Sequence, residues 1–250
     1  TPPPRRPTNN FIGQQLSKVD AVHIAPFNLD GTGVTVGVWD GGDVLTTHVD
    51  LSPRVNVEAS PEGVSFHATH VGGTIASSGA NDLAAQGMAP NARIESYDWH
   101  NDLNEMITAG RSTRMPVRVQ LSNHSYVRCR GWEIRCGGVW EWYGDDDFGA
   151  YTVLARAYDD IIKETNVIVL WAAGNARDLG PGIADPNRPD GCTAHRHDPN
   201  PHGPNVFADC ISSGSGAKNM TTVGAMADAN DIANFSSYGP MDDGRIKPDV

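Results

Sequence analysis

The sequence has few basic residues and no long apolar run. Its 19 Lys and Arg stand against 30 Asp and Glu, which gives a formal net charge of −11. Because proteins bind phosphate backbones largely through Lys and Arg that release counterions, this balance argues against a nucleic acid or an anionic membrane as a partner. The longest apolar stretch covers residues 167–173 and is far shorter than the roughly 20 residues that a bilayer-spanning helix needs. We therefore predict a soluble globular protein with no nucleic-acid partner and no membrane partner.

Cysteine is also scarce, with four residues in two spaced pairs, Cys129 with Cys136 and Cys192 with Cys210. Two local disulfides are the simplest interpretation, although four cysteines permit three connectivities and spacing alone does not exclude free thiols in a reducing cell. We interpret the cysteine usage as favouring a secreted or extracytoplasmic location. The first seven residues contain neither an apolar core nor a start methionine, so they do not form a signal peptide, and we expect a processed or trimmed chain.

Short apolar or β-branched runs alternate with segments of helical periodicity. The runs predict strands at residues 34–39, 92–97, 117–121 and 167–171, and the periodic segments predict helices at 67–77, 102–112 and 151–163. This alternation favours an α/β fold with three layers, in which a mostly parallel sheet is covered by helices on both faces. Groups that bind ligands in such folds lie beyond the carboxyl ends of the strands, so chemistry is expected in the loops that follow strands.

We divide the chain into an N-terminal arm with a helix, residues 1–33, and one large domain, residues 34–250. Four apolar residues of the first segment have helical spacing before Pro26, namely Ile12, Leu16, Val19 and Val22. Residues 126–149 and 176–216 show poor regular periodicity. We interpret both as long surface excursions, which in compact domains are usually functional or mobile.

Three polar residues stand at or near element ends, where catalytic groups occur. Asp40 ends the first strand before two glycines, although an acid in this setting is more often a turn residue. His67 begins a helix, where the positive end of the helix dipole favours the neutral imidazole that a general base needs. Asn175 follows the strand at 167–171 and is either a turn former or a donor to a developing oxyanion. A zinc site at His67 and His70 is disfavoured, because the pair lacks the glutamate and the spacing of the H-E-x-x-H pattern.

Seven sequence blocks resemble the subtilisin-like serine proteases, or subtilases. The first is D-G-G at Asp40, the second is H-A-T-H-V-G-G-T from His67, and A-A-G-N ends at Asn175. Residues 87–90 resemble the family's G-V-A-P, and residues 235–240 and 243–250 resemble its F-S-S-x-G-P and D-G-R-I-K-P-D-V. In addition, residues 48–51 resemble its H-P-D-L. The order of acid before histidine also agrees with this family.

The resemblance implies a serine endopeptidase that hydrolyses peptide bonds. Asp40 would orient the imidazole, His67 would act as general base and then general acid, and Asn175 would stabilise the oxyanion. The strand around Ser122 resembles the edge that binds an extended peptide substrate through backbone hydrogen bonds. Peptides and proteins are therefore the implied substrates, and no cofactor is required for catalysis.

The chain departs from the family pattern at the nucleophile. Subtilases carry the reactive serine in a G-T-S-M-A-x-P block some distance beyond K-P-D-V, and no such block is present in the sequence. Gly214-Ser215-Gly216 does not replace it, because it lacks the five-residue nucleophile-elbow pattern. We expect the catalytic domain at 34–250 to be incomplete at its C-terminal end, with a further segment that carries the serine. The alternative is a catalytically inactive subtilase-like scaffold that binds extended peptides.

Two further departures are Gly41, where the family usually has Ser or Thr, and Ala68, where it usually has Gly. The first removes a hydroxyl that could hydrogen-bond to the carboxylate of Asp40. Many subtilases bind structural calcium, and Asp50 resembles one family ligand, but the loop at 77–86 differs where other ligands would lie. The sequence thus leaves structural calcium open and assigns no set of metal ligands.

Overall fold

A computed structural model describes residues 10–58, 60–113, 118–127, 131–135, 139–143, 148–175, 177, 211–212, 214–227 and 231–250. Its contacts divide the chain into two compact units. The first unit comprises residues 1–125 with 164–168, and the second comprises 126–163 with 169–250. The four cysteines lie outside the described residues, so their predicted disulfides stay predictions.

The first unit is built on four parallel strands in the order β2-β3-β1-β4. These are β1 (Thr35–Asp40), β2 (Val55–Val57), β3 (Arg93–Asp98) and β4 (Leu121–His124). In the register of the sheet, Asp40 pairs with Asp98 and Trp39 pairs with His124. The carboxyl ends of β1, β3 and β4 therefore meet at one edge of the sheet.

The two faces of this sheet bury different side chains, because successive residues of a strand alternate between faces. On one face Val36, Val38 and Ile94 pack with Ala68 and Ala76 of α3 (Phe66–Ala76). All five are at least nine-tenths buried. The small residues of α3 allow the helix to approach the sheet closely, which the pattern of Ala and Gly in its sequence predicts.

The opposite face is aromatic and is covered by α4 (Asp102–Arg111). The ring of Trp39 stacks on Tyr97 at 4.4 Å between centroids and on His124 at 5.2 Å. Its indole N–H donates to Glu105 of α4 at 2.9 Å. Burial raises the pKa of the Glu105 carboxyl, and burial with neighbouring carboxylates raises that of the Tyr97 hydroxyl. With α3 on one face and α4 on the other, the first unit has the three layers that the sequence predicts.

The N-terminal helical pattern forms two short helices, α1 (Asn10–Ser17) and α2 (Val19–His23). Lys18 between them has a left-handed backbone, with φ of 62°, which ends the first helix. The side-chain amide of Gln14 donates to the carbonyls of Gln86 and Gly87, after a 3-10 turn at Leu83–Ala85. These bonds attach the first helix to the body of the first unit.

The second unit contains α5 (Val153–Thr165), with its last two residues in the first unit, and a parallel pair formed by β7 (Ile168–Ala172) and β8 (Thr221–Val223). Trp171 is its buried centre, because its ring contacts Tyr126 and Tyr158 at centroid distances of 4.9 and 4.8 Å. An antiparallel hairpin, β5 (Gly131–Arg135) with β6 (Val139–Tyr143), lies in the same unit.

The K-P-D-V segment follows the pair β7–β8. The amide of Asp249 donates to Thr222 O at 2.8 Å, and the amide of Gly224 donates to Val250 O at 2.8 Å. The buried ammonium of Lys247 donates to Asp249 at 2.6 Å and to the carbonyl of Met220 at 3.2 Å. This segment is therefore fixed against β8 by backbone bonds and by the bond from Lys247 to Met220 O, and the ion pair between Lys247 and Asp249 lies within the segment itself.

The predicted α/β class is confirmed, and three details differ from the sequence-based expectation. The strand expected at 117–121 is found at Leu121–His124, because the amide of Val119 bonds to Ala109 O. The excursion expected at 126–149 contains the hairpin β5–β6, and the three-residue strands β2 and β8 were not predicted. Among the described residues, no helix is long and apolar enough to cross a bilayer.

Gly87 provides a test of the packing in the first unit. A Cβ added at this glycine would lie 2.6 Å from Ser77 N and 2.7 Å from Ala76 N, so Gly87→Ala forces backbone atoms apart. We expect a loss of about 2 kcal/mol in the free energy of unfolding, measured by urea denaturation. Gly73→Ala is the matched control, since its Cβ meets no atom within 4 Å and alanine favours a helix. Equal effects of the two substitutions contradict the described packing.

Candidate active site

Asp40 and His67 form a hydrogen-bonded pair in the first unit. Nδ1 of His67 lies 2.7 Å from Oδ1 and 2.8 Å from Oδ2 of Asp40. The Asp40 side chain is 3% exposed, whereas the His67 side chain is 53% exposed. A buried carboxylate needs a hydrogen-bonding partner, and the Nδ1–H of a neutral imidazole supplies one. In that tautomer Nε2 is the nitrogen that can accept a proton.

Local sequence explains why each partner is held. Asp40 is the last residue of β1, directly after Trp39 in the aromatic core. His67 is the second residue of α3, and Ser65 caps this helix by accepting the amide of Ala68 at 3.2 Å. The hydroxyl of Thr69 donates to Ser65 O at 2.8 Å. A strand end and a capped helix start thus fix the carboxylate and the imidazole independently.

The two glycines after Asp40 leave space for other groups. A Cβ at Gly41 would lie 2.9 Å from the indole ring of Trp99. A Cβ at Gly42, where φ is +137°, would lie 2.6 Å from Gly63 O and 3.5 Å from Cβ of Glu62. The Gly41 amide donates to Oδ1 of Asp40 at 2.7 Å. Gly41, in place of the usual Ser or Thr, therefore leaves free the space that the ring of Trp99 occupies.

Two exposed side chains pair beside these glycines. Nε2 of His100 lies 2.9 Å from Oε1 of Glu62, and the two side chains are 55% and 49% exposed. The contact with Glu62 raises the pKa of His100. The backbone amide of His100 donates to Asp98 at 2.7 Å, and its ring meets Trp99 edge to face. The pair therefore lies at the same edge of the sheet as Asp40.

Asp43 is a buried acid in this region. Its Oδ1 is one of the few buried side-chain atoms without a hydrogen-bond partner among the described residues. Burial, together with the charge of Asp98, raises the pKa of its carboxyl. Its backbone exchanges hydrogen bonds with Gly63 and Ser65, so the residue also connects the glycine turn to the start of α3.

Ser122 lies inside the sheet of the first unit. Its side chain is fully buried, and its hydroxyl is 3.1 Å from Nε2 of His124. A peptide cannot reach that hydroxyl in this structure. The predicted pairing of this strand edge with a substrate stays a prediction.

Asn175 lies in the second unit, exposed and three residues beyond the end of β7. The preceding Gly174 has φ of +111°, a backbone conformation that side chains disfavour. The amide of Ser237 donates to Gly174 O at 2.9 Å, and a Cβ at Gly174 would lie 3.0 Å from Ser237 Oγ. Ser237 belongs to the F-S-S-x-G-P block, so this block contacts the backbone that precedes Asn175.

The region around Asp50 bears on the predicted calcium ion. Oδ1 of Asp50 accepts hydrogen bonds from the amides of Ala80 at 2.8 Å and Asn81 at 3.4 Å, and from the Ser78 hydroxyl at 3.2 Å. Because these donors compete with a cation for the same oxygen, the local donor set does not fit calcium at Oδ1. Among the residues that the structure describes, no group of three His, Cys, Asp or Glu could hold a metal. Structural calcium therefore stays the open question that the resemblance left, with no set of ligands assigned.

Sequence reasoning missed Glu62, Trp99 and His100 as neighbours of the candidate site. The one signal that could have indicated them is Gly41, because a glycine in place of a hydroxyl residue means that another group occupies the space. The sequence alone does not show which residue provides that group.

The sequence of the chain matches a known protein family over most of its length. The family model described as Peptidase_S8, the subtilase family, matches residues 31–250. The chain therefore belongs to the subtilase family of serine proteases. Its sequence order of Asp40 before His67, and the hydrogen bond between them, agree with that membership.

Curated relatives cover the chain to different extents. Serine protease AprX of Bacillus subtilis is 27% identical over an alignment of 248 positions, which covers 89% of this chain and 46% of AprX. An alkaline protease of Alkalihalobacillus alcalophilus is 39% identical over 84 residues, 32% of this chain and 21% of that protease. The chain thus spans less than half the length of these relatives.

Solved structures share the fold at low sequence identity. MycP1 from Mycobacterium smegmatis is 21% identical, with a TM-score of 0.55, and the match covers 94% of this chain and 63% of that one. The prenylagaramide maturation protease PagA is 18% identical with a TM-score of 0.52, over 90% of this chain and 63% of PagA. These likenesses show the fold.

The contact between Gly41 and Trp99 can be tested by a double-mutant cycle. Gly41→Ser introduces a Cβ that collides with the indole ring, so we expect it to lower the free energy of unfolding by about 1–3 kcal/mol. The same change in a Trp99→Ala background costs much less, because the colliding ring is gone. Urea denaturation of the four proteins measures both values. An equal cost in the two backgrounds shows that the ring does not occupy this space.

Proposed function

We propose that the protein is a serine endopeptidase that hydrolyses peptide bonds with an Asp-His-Ser triad. Asp40 orients the imidazole and stabilises imidazolium, and His67 removes a proton from the nucleophile and returns it to the leaving amine. The observation that carries this proposal is the hydrogen bond from His67 Nδ1 to the buried Asp40 carboxylate. Membership in the subtilase family supports the same chemistry.

The nucleophile in this proposal is a serine encoded after Val250. No G-T-S-M-A block is present in the 250 residues, and the K-P-D-V segment that precedes the block in subtilases is held against β8. In the proposed reaction the serine hydroxyl loses its proton to Nε2 of His67 as its oxygen attacks the carbonyl carbon of the scissile bond. A C-terminal segment is thus the partner on which activity depends.

The proposed oxyanion donor is Asn175. The negative charge that develops on the carbonyl oxygen needs a preorganised N–H donor, and the side-chain amide of Asn175 is of the right chemical type. Its support in the structure is local: the left-handed Gly174 and the bond from Ser237 define the backbone directly before it. Substrates in this proposal are extended peptides bound through the backbone near Ser122.

The proposed location is outside the cytoplasm. The two spaced cysteine pairs support disulfides between Cys129 and Cys136 and between Cys192 and Cys210, which persist in oxidising compartments. Mass spectrometry of the non-reduced protein after proteolytic digestion identifies or excludes these two linkages.

Asp40→Asn tests the role of the carboxylate. The asparagine can turn its NH2 group toward Nδ1, which then accepts instead of donating, so the neutral ring takes the tautomer protonated at Nε2, and we expect kcat of the full-length protein to fall about ten-thousandfold. Hydrolysis of a quenched fluorescent peptide measures this loss. Asp20→Asn, at an exposed helix position, is the matched control and should leave kcat unchanged. An Asp40→Asn protein that retains a tenth of the activity contradicts the triad.

Asn175→Ala tests the oxyanion role. Loss of one preorganised donor should reduce kcat about 100- to 1000-fold with little change in KM. Asn104→Ala, on the exposed side of α4, serves as the control. A rise in KM at constant kcat would instead assign Asn175 to substrate binding.

A fluorophosphonate probe separates the enzyme from the inactive scaffold. Applied to the full-length protein, the probe should form a covalent bond with one serine, located by mass spectrometry after Val250. A folded full-length protein that binds peptides but shows no labelling supports the scaffold and overturns the proposed function.

A further inference from the structure

We propose that Glu62 and Trp99 form a binding site for a cationic side chain of the peptide substrate, and that His100 occupies this site when no substrate is bound. The inference rests on the proposed function, because it names a class of substrate residue for the same active site. It is carried by the positions of the three side chains beside Asp40, all within the first unit.

The first step of the argument is location. Trp99 packs against the bare backbone of Gly41, and Glu62 Cβ lies near the bare backbone of Gly42. The carboxylate of Asp40 accepts the Gly41 amide at 2.7 Å. The proposed site is therefore built on the two residues that directly follow Asp40. A peptide whose scissile bond lies at His67 would pass close to it.

The second step is chemical match. The imidazole of His100 meets the Glu62 carboxylate at 2.9 Å and the Trp99 ring edge to face. An imidazole of this chain thus already contacts both the carboxylate and the aromatic ring. Lysine and arginine side chains bind to the same two kinds of group, by ion pairing and by contact with an indole face.

The third step is that a substrate can displace His100. Both members of the pair are about half exposed, and exposed ion pairs contribute little to stability. The partly exposed indole of Trp99, at 38%, offers surface for a long aliphatic stem that ends in a charge. The carboxylate of Asp98, which accepts the backbone amide of His100 at 2.7 Å, places a further acid beside the pair.

The test uses the full-length protein and pairs of quenched peptides that differ at one residue, lysine or norleucine, placed in turn at each position around the cleaved bond. Norleucine keeps the aliphatic stem and removes the ammonium group. At one position we expect the wild-type protein to prefer lysine about three- to tenfold in kcat/KM.

Two variants should change this preference in opposite directions. Glu62→Gln removes the anion and should bring the ratio of lysine to norleucine close to one. His100→Ala removes the competitor for Glu62 and should raise the ratio above the wild-type value. Glu58→Gln, another exposed glutamate of the first unit, is the matched control and should leave the ratio unchanged. A ratio that Glu62→Gln does not alter at any position overturns the site.

A binding measurement makes failure of the site distinguishable from failure of the proposed function. Protein labelled with 15N at histidine is titrated with uncleavable forms of the two peptides. The lysine peptide should shift the ring signals of His100 in the wild-type protein and not in Glu62→Gln, and the norleucine peptide should shift them in neither. Shifts without any peptide hydrolysis leave the cation site in place and overturn the protease. Hydrolysis with neither a lysine-specific shift nor a Glu62-dependent ratio leaves the protease in place and overturns the cation site.

Discussion

The charge of Asp40 is held where water hardly reaches it, and the candidate site depends on how that charge is compensated. An isolated carboxylate in such a place is costly, so its oxygens need donors. The Gly41 amide and His67 Nδ1 supply them at 2.7 Å each, the latter also within 2.8 Å of the second oxygen. The imidazole is thereby oriented by the same interaction that stabilises the carboxylate. The hydrogen bond between Asp40 and His67 therefore underlies both the local structure and the proposed chemistry.

The glycines that follow Asp40 extend this arrangement to its surroundings. A side chain at Gly41 would collide with Trp99, and one at Gly42 would collide with the turn at Gly63. The missing side chains let an aromatic ring and a glutamate approach the backbone directly after Asp40. A side chain at position 41, where subtilases usually have a hydroxyl residue, would force the indole ring of Trp99 to shift. The proposed preference for cationic substrate residues depends on this position of the Trp99 ring.

The sequence predicted the helices and strands in which the residues that form the sequence pattern are also the buried residues. β1 has a strong apolar pattern, and α3 is marked by small residues that pack on the sheet; because these elements carry Asp40 and His67, this half of the site could be anticipated. β4 was misplaced because its residues at Ser122, Asn123 and His124 are polar, and they are held by sheet pairing and by the stack of His124 on Trp39. No period in the sequence indicates such a strand.

The neighbours of the site could not be predicted for a different reason. Glu62, Trp99 and His100 come from two loops, and their contact depends on the register that places Asp98 beside Asp40. Pairing across parallel strands is a tertiary property, so local sequence contains only an indirect trace of it, the glycine at position 41. The roles of Ser122 and Asn175 rest on family resemblance and stay proposals.

The tautomer of His67 tests the central claim most directly, because it reports the interaction with Asp40 whether or not the nucleophile is present. In protein labelled with 15N at histidine, at a pH where the ring is neutral, we predict a proton on Nδ1 and an unprotonated Nε2. In the wild-type protein the proton signal should show a one-bond coupling to Nδ1. In Asp40→Asn this coupling should be absent, because the proton is no longer on Nδ1. A neutral ring protonated at Nε2 in the wild-type protein would contradict the account.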